Sequence, residues 1–138
     1  MKERLEDVLR PDEVANDLVL LLRGGFYEEG LERLQEQAAQ LNRRFSLEGG
    51  DCYGISVFAA TEETEEWVLA RNMDVRRRYY RIQREDVADL RLLPTFRAPH
   101  WTVLFSGPDG PEYAYFVDAL GELRENPYYT RKPGRRPR

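Results

Sequence analysis

In Asp17 to Gly25, DLVLLLRGG, an arginine closes an apolar run and stands beside two glycines. A guanidinium fixed next to exposed backbone amides can hold a phosphate, so Arg23, Gly24 and Gly25 form one candidate anion site. The plainer alternative is that the glycines only turn the chain and Arg23 pairs with a surface acid, since RGG lacks the length of a P-loop or a dinucleotide fingerprint. Ser56 is the second candidate, a small hydroxyl among β-branched and aromatic neighbours in Gly54-Ile55-Ser56-Val57-Phe58, placed there for packing or for ligand contact. The third is His100 with Thr102, two residues apart on a strand, so that both side chains leave one face and can share one anion or orient one hydroxyl.

Other chemistry is excluded by residue counts. A two-histidine phosphoesterase needs one histidine as base and another as acid, and the chain has only His100. One cysteine and one histidine supply neither an internal disulfide nor the ligand set of a zinc site, so no metal is expected. Glu62, Glu63, Glu65 and Glu66 read as the solvated start of a helix, and no carboxylate dyad can be named. Tyr79 and Tyr80 beside Arg76, Arg77 and Arg78 could stack and pin an aromatic ligand, or simply pack in a core.

These side chains need a scaffold, and 138 residues with 41% hydrophobic content suit one compact domain with a buried core. Residues 1–127 read as that domain and 128–138 as a basic, proline-rich tail. Five of the 21 cationic residues lie in the last eight, so the net charge of −4 becomes −9 over the rest of the chain. That balance argues against nucleic acid as a partner of the body, leaving only the tail to touch phosphates. No apolar run approaches the roughly 18 residues of a membrane span, and the charged start MKERLEDVLR lacks the apolar core of a signal peptide. A cytoplasmic protein is expected, without membrane contact, unless a dedicated machine exports it.

The patterning predicts a short helix over Met1 to Arg10, a buried strand over Asp17 to Arg23, and an amphipathic helix over Glu28 to Phe45. A central strand over Tyr53 to Ala60 follows, then a helix capped by Thr61 and running to Asn72 with Trp67 inside. Val75 to Gln83 reads as an edge strand and Glu85 to Leu90 as a short helix. Leu92 to Phe96 and His100 to Ser106 read as strands, and Glu112 to Leu123 as a closing helix with Tyr115 and Phe116 in its core face. The sum is an α+β domain with one mixed sheet of about five strands.

With these residues placed, the order of motifs resembles the small ADP-ribosyltransferase-like toxins of bacteria, especially a short cytotoxic effector family delivered by type VI secretion. The similarity is densest in GISVF (Gly54 to Phe58), in PHWTV (Pro99 to Val103) and in the closing helix, and ahead of Gly54 it rests only on the RGG strand. The resemblance implies NAD bound in a cleft between two small sheets, gripped by Arg23 on the first strand and Ser56 on the second core strand. It also implies a neutralising protein partner. The family's usual third element is a glutamate on a late strand, which stabilises the ribose cation as nicotinamide leaves. This sequence departs there, offering His100 and Thr102, with Glu85 and Glu112 the nearest glutamates in predicted helices or turns. The alternative is a non-catalytic protein-interaction module in which the same residues pack.

Overall fold

A computed structural model describes residues 1–10, 19–25 and 30–130. They form one α+β unit whose main sheet has six strands, all paired antiparallel, rather than about five in a mixed arrangement. A strand β1 (Glu3–Arg4) and a 3-10 turn (Leu5–Val8) replace the expected first helix, and β1 pairs with β3 (Phe45–Ser46) in a separate two-stranded ribbon. Leu5 is the reason: it is fully buried with Phe45, Leu47, Cys52 and Leu104, and one inward residue needs no helix.

The first core strand, β2 (Leu20–Gly25), runs through both glycines instead of turning at them, pairing Gly24 with Tyr79 and Gly25 with Arg78. The start of the expected strand, Asp17 and Leu18, lies outside the described residues, as do Glu28 and Glu29 of the expected helix. That helix, α1 (Leu31–Arg44), buries Leu34 and Ala38 one turn apart and carries Arg43 and Arg44 in its last turn, where cations complement the helix dipole. Next come β4 (Tyr53–Ala60) and α2 (Glu65–Asn72), then β5 (Arg78–Gln83) and a 3-10 turn (Arg84–Val87). After β6 (Arg91–Pro94), β7 (His100–Phe105) and α3 (Pro111–Leu120), β8 (Arg124–Glu125) closes the order. Helix α3 is framed by glycines at positive φ, Gly110 at 127° and Gly121 at 67°, with Pro111 in its first turn.

The strand order is β6-β7-β4-β2-β5-β8. Strand β5 is therefore not the edge, although β8 covers it only at Arg78 and Tyr79. Strict alternation divides the side chains between two faces. Leu21, Ile55, Val57, Tyr80, Ile82, Trp101, Val103 and Phe105 face α1 and α3, meeting Leu34, Ala38, Tyr113 and Phe116. Leu20, Leu22, Ala60 and Tyr79 face the other way, under Val68, Leu69 and Met73 of α2 and its following turn. Trp67 is 54% exposed because Val68 and Leu69 take the inward positions of α2, and Tyr115 points out because Tyr113 and Phe116 fill the core face of α3. The body also extends past residue 127, since Tyr128 packs against the α2 cluster and the Thr130 amide donates to the Asp74 carbonyl at 2.8 Å. Residues 131–138 of the tail lie outside the described residues.

Candidate functional site

The six strands behave as two three-stranded halves. Strands β4 and β7 pair over six residues, and so do β2 and β5, but β2 and β4 pair only from Leu20–Ala60 to Leu22–Phe58. Beyond Leu22 the two strands separate, leaving a fork with Arg23, Gly24 and Gly25 on one side and Val57, Ser56 and Ile55 on the other. A strand edge inside a sheet presents carbonyls that must find partners. Arg23 supplies one: its Nη1 donates to the Ser56 main-chain carbonyl at 2.9 Å, and its Nη2 donates to Gln37 Oε1 on α1. Arg23 is only 8% exposed, on the α1 face, with the buried ring of Tyr80 directly across the β2–β5 pair.

Ser56 lies on the opposite face. Its hydroxyl is exposed, and among the described residues it has no hydrogen-bond partner. The structure thus puts the sequence-predicted residues in two groups, Arg23 with Tyr80 under α1, and Ser56 with Thr102 and His100 on the opposite face, which is open at Ser56, half-buried at His100 and buried at Thr102. Period-two alternation is the reason: Leu22 faces Phe58, so Arg23 shares its side with Val57 and not with Ser56.

Thr102 and His100 are joined through Thr95 by a chain of polar contacts that leaves Ser56 out. Ser56 and Thr102 are cross-strand partners, and the buried Thr102 hydroxyl meets that of Thr95 at 2.7 Å. Thr95 Oγ1 also lies 3.0 Å from His100 Nδ1. Arg10 clamps both ends of the turn between them, Nη1 donating to the Thr95 carbonyl at 2.7 Å and to the His100 carbonyl at 2.6 Å. Phe96 and Phe58 set their edges against the imidazole, with ring centroids 5.1 and 5.7 Å away. Phe96 is held at φ 59°, a left-handed conformation that costs a bulky residue free energy, and its amide is fixed to the Val8 carbonyl at 2.7 Å. The Ala98–Pro99 peptide in this turn is cis. Burial lowers the His100 pKa below its ordinary value, and nearby Arg10 adds to this against the opposing bond to the Thr95 carbonyl, so the ring is neutral at pH 7 and can accept a proton.

Gly24 continues the row across the fork. If the β2–β4 register ran on, Gly24 would face Ser56, and it shares the open face with it. A Cβ at Gly24 would come within 2.8 Å of the Arg76 side chain, so Arg76 lies directly against bare backbone there. Farther along this face Glu65 holds Arg81 through both carboxylate oxygens, at 3.0 and 2.9 Å, with only 15% of its side chain exposed. The pair is largely enclosed, whereas the sequence reading placed Glu65 in a solvated run. Tyr79 beside it has its pKa raised by burial first and by Glu65 second.

Sequence reasoning missed Thr95 and Arg10 as members of this face, and it grouped Arg76 with Tyr79 and Tyr80 rather than with Gly24 and Ser56. Thr95 read only as one residue of the expected strand Leu92 to Phe96, and Arg10 and Arg76 reach the site across other elements. A separate groove of about 460 Å³ opens at the outer edge of β5, lined by Arg81, Asp86, Tyr115, Asp118, Glu122 and Arg124. None of the sequence-predicted residues lines it, and the hydroxyl–imidazole chemistry lies elsewhere. Among the described residues no group of three or more His, Cys, Asp or Glu is placed to hold a metal ion, and no helix is long and apolar enough to cross a membrane. Comparison of the chain with protein families, with curated proteins and with solved structures finds no match.

Proposed function

We propose that this protein is an ADP-ribosyltransferase-like toxin domain that takes NAD at the fork between its half-sheets and acts on an intracellular target. The observation that carries this reading is the three-residue seam between β2 and β4, with the Arg23 guanidinium set in the opening against the Ser56 carbonyl. Two small half-sheets with an arginine on the first strand and a serine on the second are what the family resemblance led us to expect. The roles divide differently from the expectation. Arg23 props the fork from the α1 side, while the open face offers the free Ser56 hydroxyl, the bare backbone of Gly24 and the exposed Arg76 beside it.

Those open-face groups fit a dinucleotide's pyrophosphate, which needs a cation, a small hydroxyl donor and close backbone approach. Arg76 and Ser56 would hold it, and His100, neutral and steadied by Thr95, would receive a proton from an acceptor group. When bound, NAD supplies the ADP-ribosyl group and nicotinamide as its leaving group. The nearest enclosed carboxylate, Glu65, is engaged by Arg81.

Calorimetric titration with NAD tests the reading. The parent chain is expected to bind, and Ser56→Ala and Arg76→Gln are expected to bind at least tenfold more weakly while melting like the parent. Expression without a neutralising partner should arrest growth in the parent only. Absence of NAD binding together with unaffected growth would overturn it. A second reading, a non-catalytic protein-interaction module, is favoured by one observation: Arg23 is spent on internal hydrogen bonds. In that case Ser56→Ala changes neither growth nor NAD binding.

A further inference from the structure

Strand β5 has a neighbour on both sides for only part of its length. Strand β2 pairs with it from Arg78 to Gln83, but β8 pairs with it only at Arg78 and Tyr79, so beyond Tyr79 its outer edge has no strand beside it among the described residues. The Arg84 amide donates to the Val19 carbonyl at 2.9 Å, and antiparallel alternation then makes Arg84, Ile82 and Tyr80 the residues bonded toward β2. The Arg81 amide and carbonyl and the Gln83 amide therefore point the other way, to the open edge. The far edge of the sheet is blunted instead, since β6 ends in Pro94 and the Pro94 carbonyl accepts from the Arg10 amide at 3.0 Å.

The groove of about 460 Å³ runs along this open edge, with Arg81 and Gln83 on one side and Tyr115, Asp118 and Glu122 at the end of α3 on the other. Its charge is unbalanced. Asp86, Asp118 and Glu122 are in no ion pair among the described residues, and of the two guanidiniums in the lining Arg81 is already held by Glu65 at 2.9 Å, which leaves only Arg124 to oppose three carboxylates. Helix α3 adds to the negative side, because the carbonyls at a helix C-terminus carry partial negative charge and its last turn has no basic residue. Tyr115, 37% exposed, offers a ring face on which a cation can rest.

We infer that this groove takes an extended segment of a partner protein that carries lysine or arginine and lies along β5 as an added strand. The segment bonds to the Arg81 amide and carbonyl and to the Gln83 amide, and sets its cations against Asp86, Asp118 and Glu122. Main-chain bonds to a free edge supply affinity, and the side chains that alternate along the segment select the partner. Nucleic acid would set its phosphates against the same carboxylates. A second copy of this chain, pairing through the same edge, would bring two sets of those carboxylates together. The inference stands apart from the NAD reading, since Arg23, Gly24, Ser56, His100 and Thr102 do not line the groove.

The test is fluorescence anisotropy of the full chain, without NAD, against a labelled heptapeptide of alternating lysine and threonine at about 50 mM salt, where charge attraction is less screened. Binding should be saturable, and a glutamate–threonine heptapeptide should bind about tenfold more weakly or not at all. The same lysine peptide N-methylated at alternate residues lacks the donors to pair with an edge and should not bind. Asp118→Asn with Glu122→Gln should weaken the lysine peptide about tenfold. Gln83→Pro probes the edge itself. Gln83 has φ −72°, a value proline adopts, and its amide faces the open edge, so the variant should melt like the parent and bind the peptide about tenfold more weakly. Amide exchange followed by NMR should show the Arg81 and Gln83 amides slowed by the peptide, whereas β2 already protects those of Tyr80 and Ile82. Any of four results would overturn the inference: no saturable binding, equal binding of the N-methylated or the glutamate peptide, unchanged exchange at Arg81 and Gln83 in the bound state, or dimerisation of the parent that Gln83→Pro abolishes.

Discussion

Arg23→Met removes the prop of the fork and leaves the Ser56 carbonyl facing a gap. The parent guanidinium is 8% exposed and donates to that carbonyl at 2.9 Å and to Gln37. Hydrogen bonds from a charged donor contribute about 1.5–3 kcal/mol each, and an unpaired buried carbonyl costs about 1–3 kcal/mol. Relief of the desolvation of a buried charge offsets part of this, so the net destabilisation should be about 2–4 kcal/mol. That is a large fraction of the roughly 5–15 kcal/mol that holds a domain of this kind folded. Urea unfolding followed by tryptophan fluorescence reads it as a lower midpoint at unchanged slope, and the melting temperature should fall by roughly 5–15 °C. Arg23→Lys keeps one donor and should recover part of the loss. If Arg23→Met unfolds within about 0.5 kcal/mol of the parent at the error scale of such measurements, Arg23 is not what closes the fork, and it becomes available as a ligand.

His100 gives a pH test with a definite sign. Its pKa is lowered in the fold, so the unfolded chain takes up its proton first; the stabilisation is complete above the ordinary value near 6.5 and is lost as pH falls through the lower folded value. His100→Gln should flatten the difference in urea midpoint between pH 7.5 and 5.5 relative to the parent, and an unchanged difference would refute the assignment. At Gly54 an added Cβ would meet the Val103 carbonyl at 2.8 Å, Thr102 Cγ2 at 2.9 Å and Leu41 at 3.0 Å. Backbone cannot give way as a side chain can, so Gly54→Ala should cost about 1–3 kcal/mol in thermal or urea unfolding.

Much of the scaffold is legible in the residue pattern. Leu31 to Arg44 repeats its apolar residues at the helical period, and Tyr53 to Ala60 and His100 to Phe105 alternate as strands do, so the two faces of β7 follow from counting by twos. The co-location of Ser56, His100 and Thr102 on one face follows in part from the same rule, since each strand's outward set is determined by its own sequence. Short or two-sided elements were less legible. Leu5, Val8 and Leu9 at helical spacing made Met1 to Arg10 look like a helix where only the 3-10 turn Leu5–Val8 forms, and Trp67 was assigned inward because size alone does not say which face of α2 meets the sheet.

Register and strand separation belong to the tertiary structure alone. A one-residue choice in the pairing of β2 with β4 puts Arg23 on the side of Val57 instead of Ser56, and nothing local to either strand encodes that choice. The early parting of the two strands, the seating of Arg76 against Gly24, and the tying of Asp74, Arg76 and Arg77 to Asn126 and Thr130 all join segments that are far apart in sequence. The sequence by itself therefore determined which residues have chemistry to offer and which strand faces carry them, because those depend on local period. Only the packed fold decided which of them meet, because a meeting depends on how separate elements share one core.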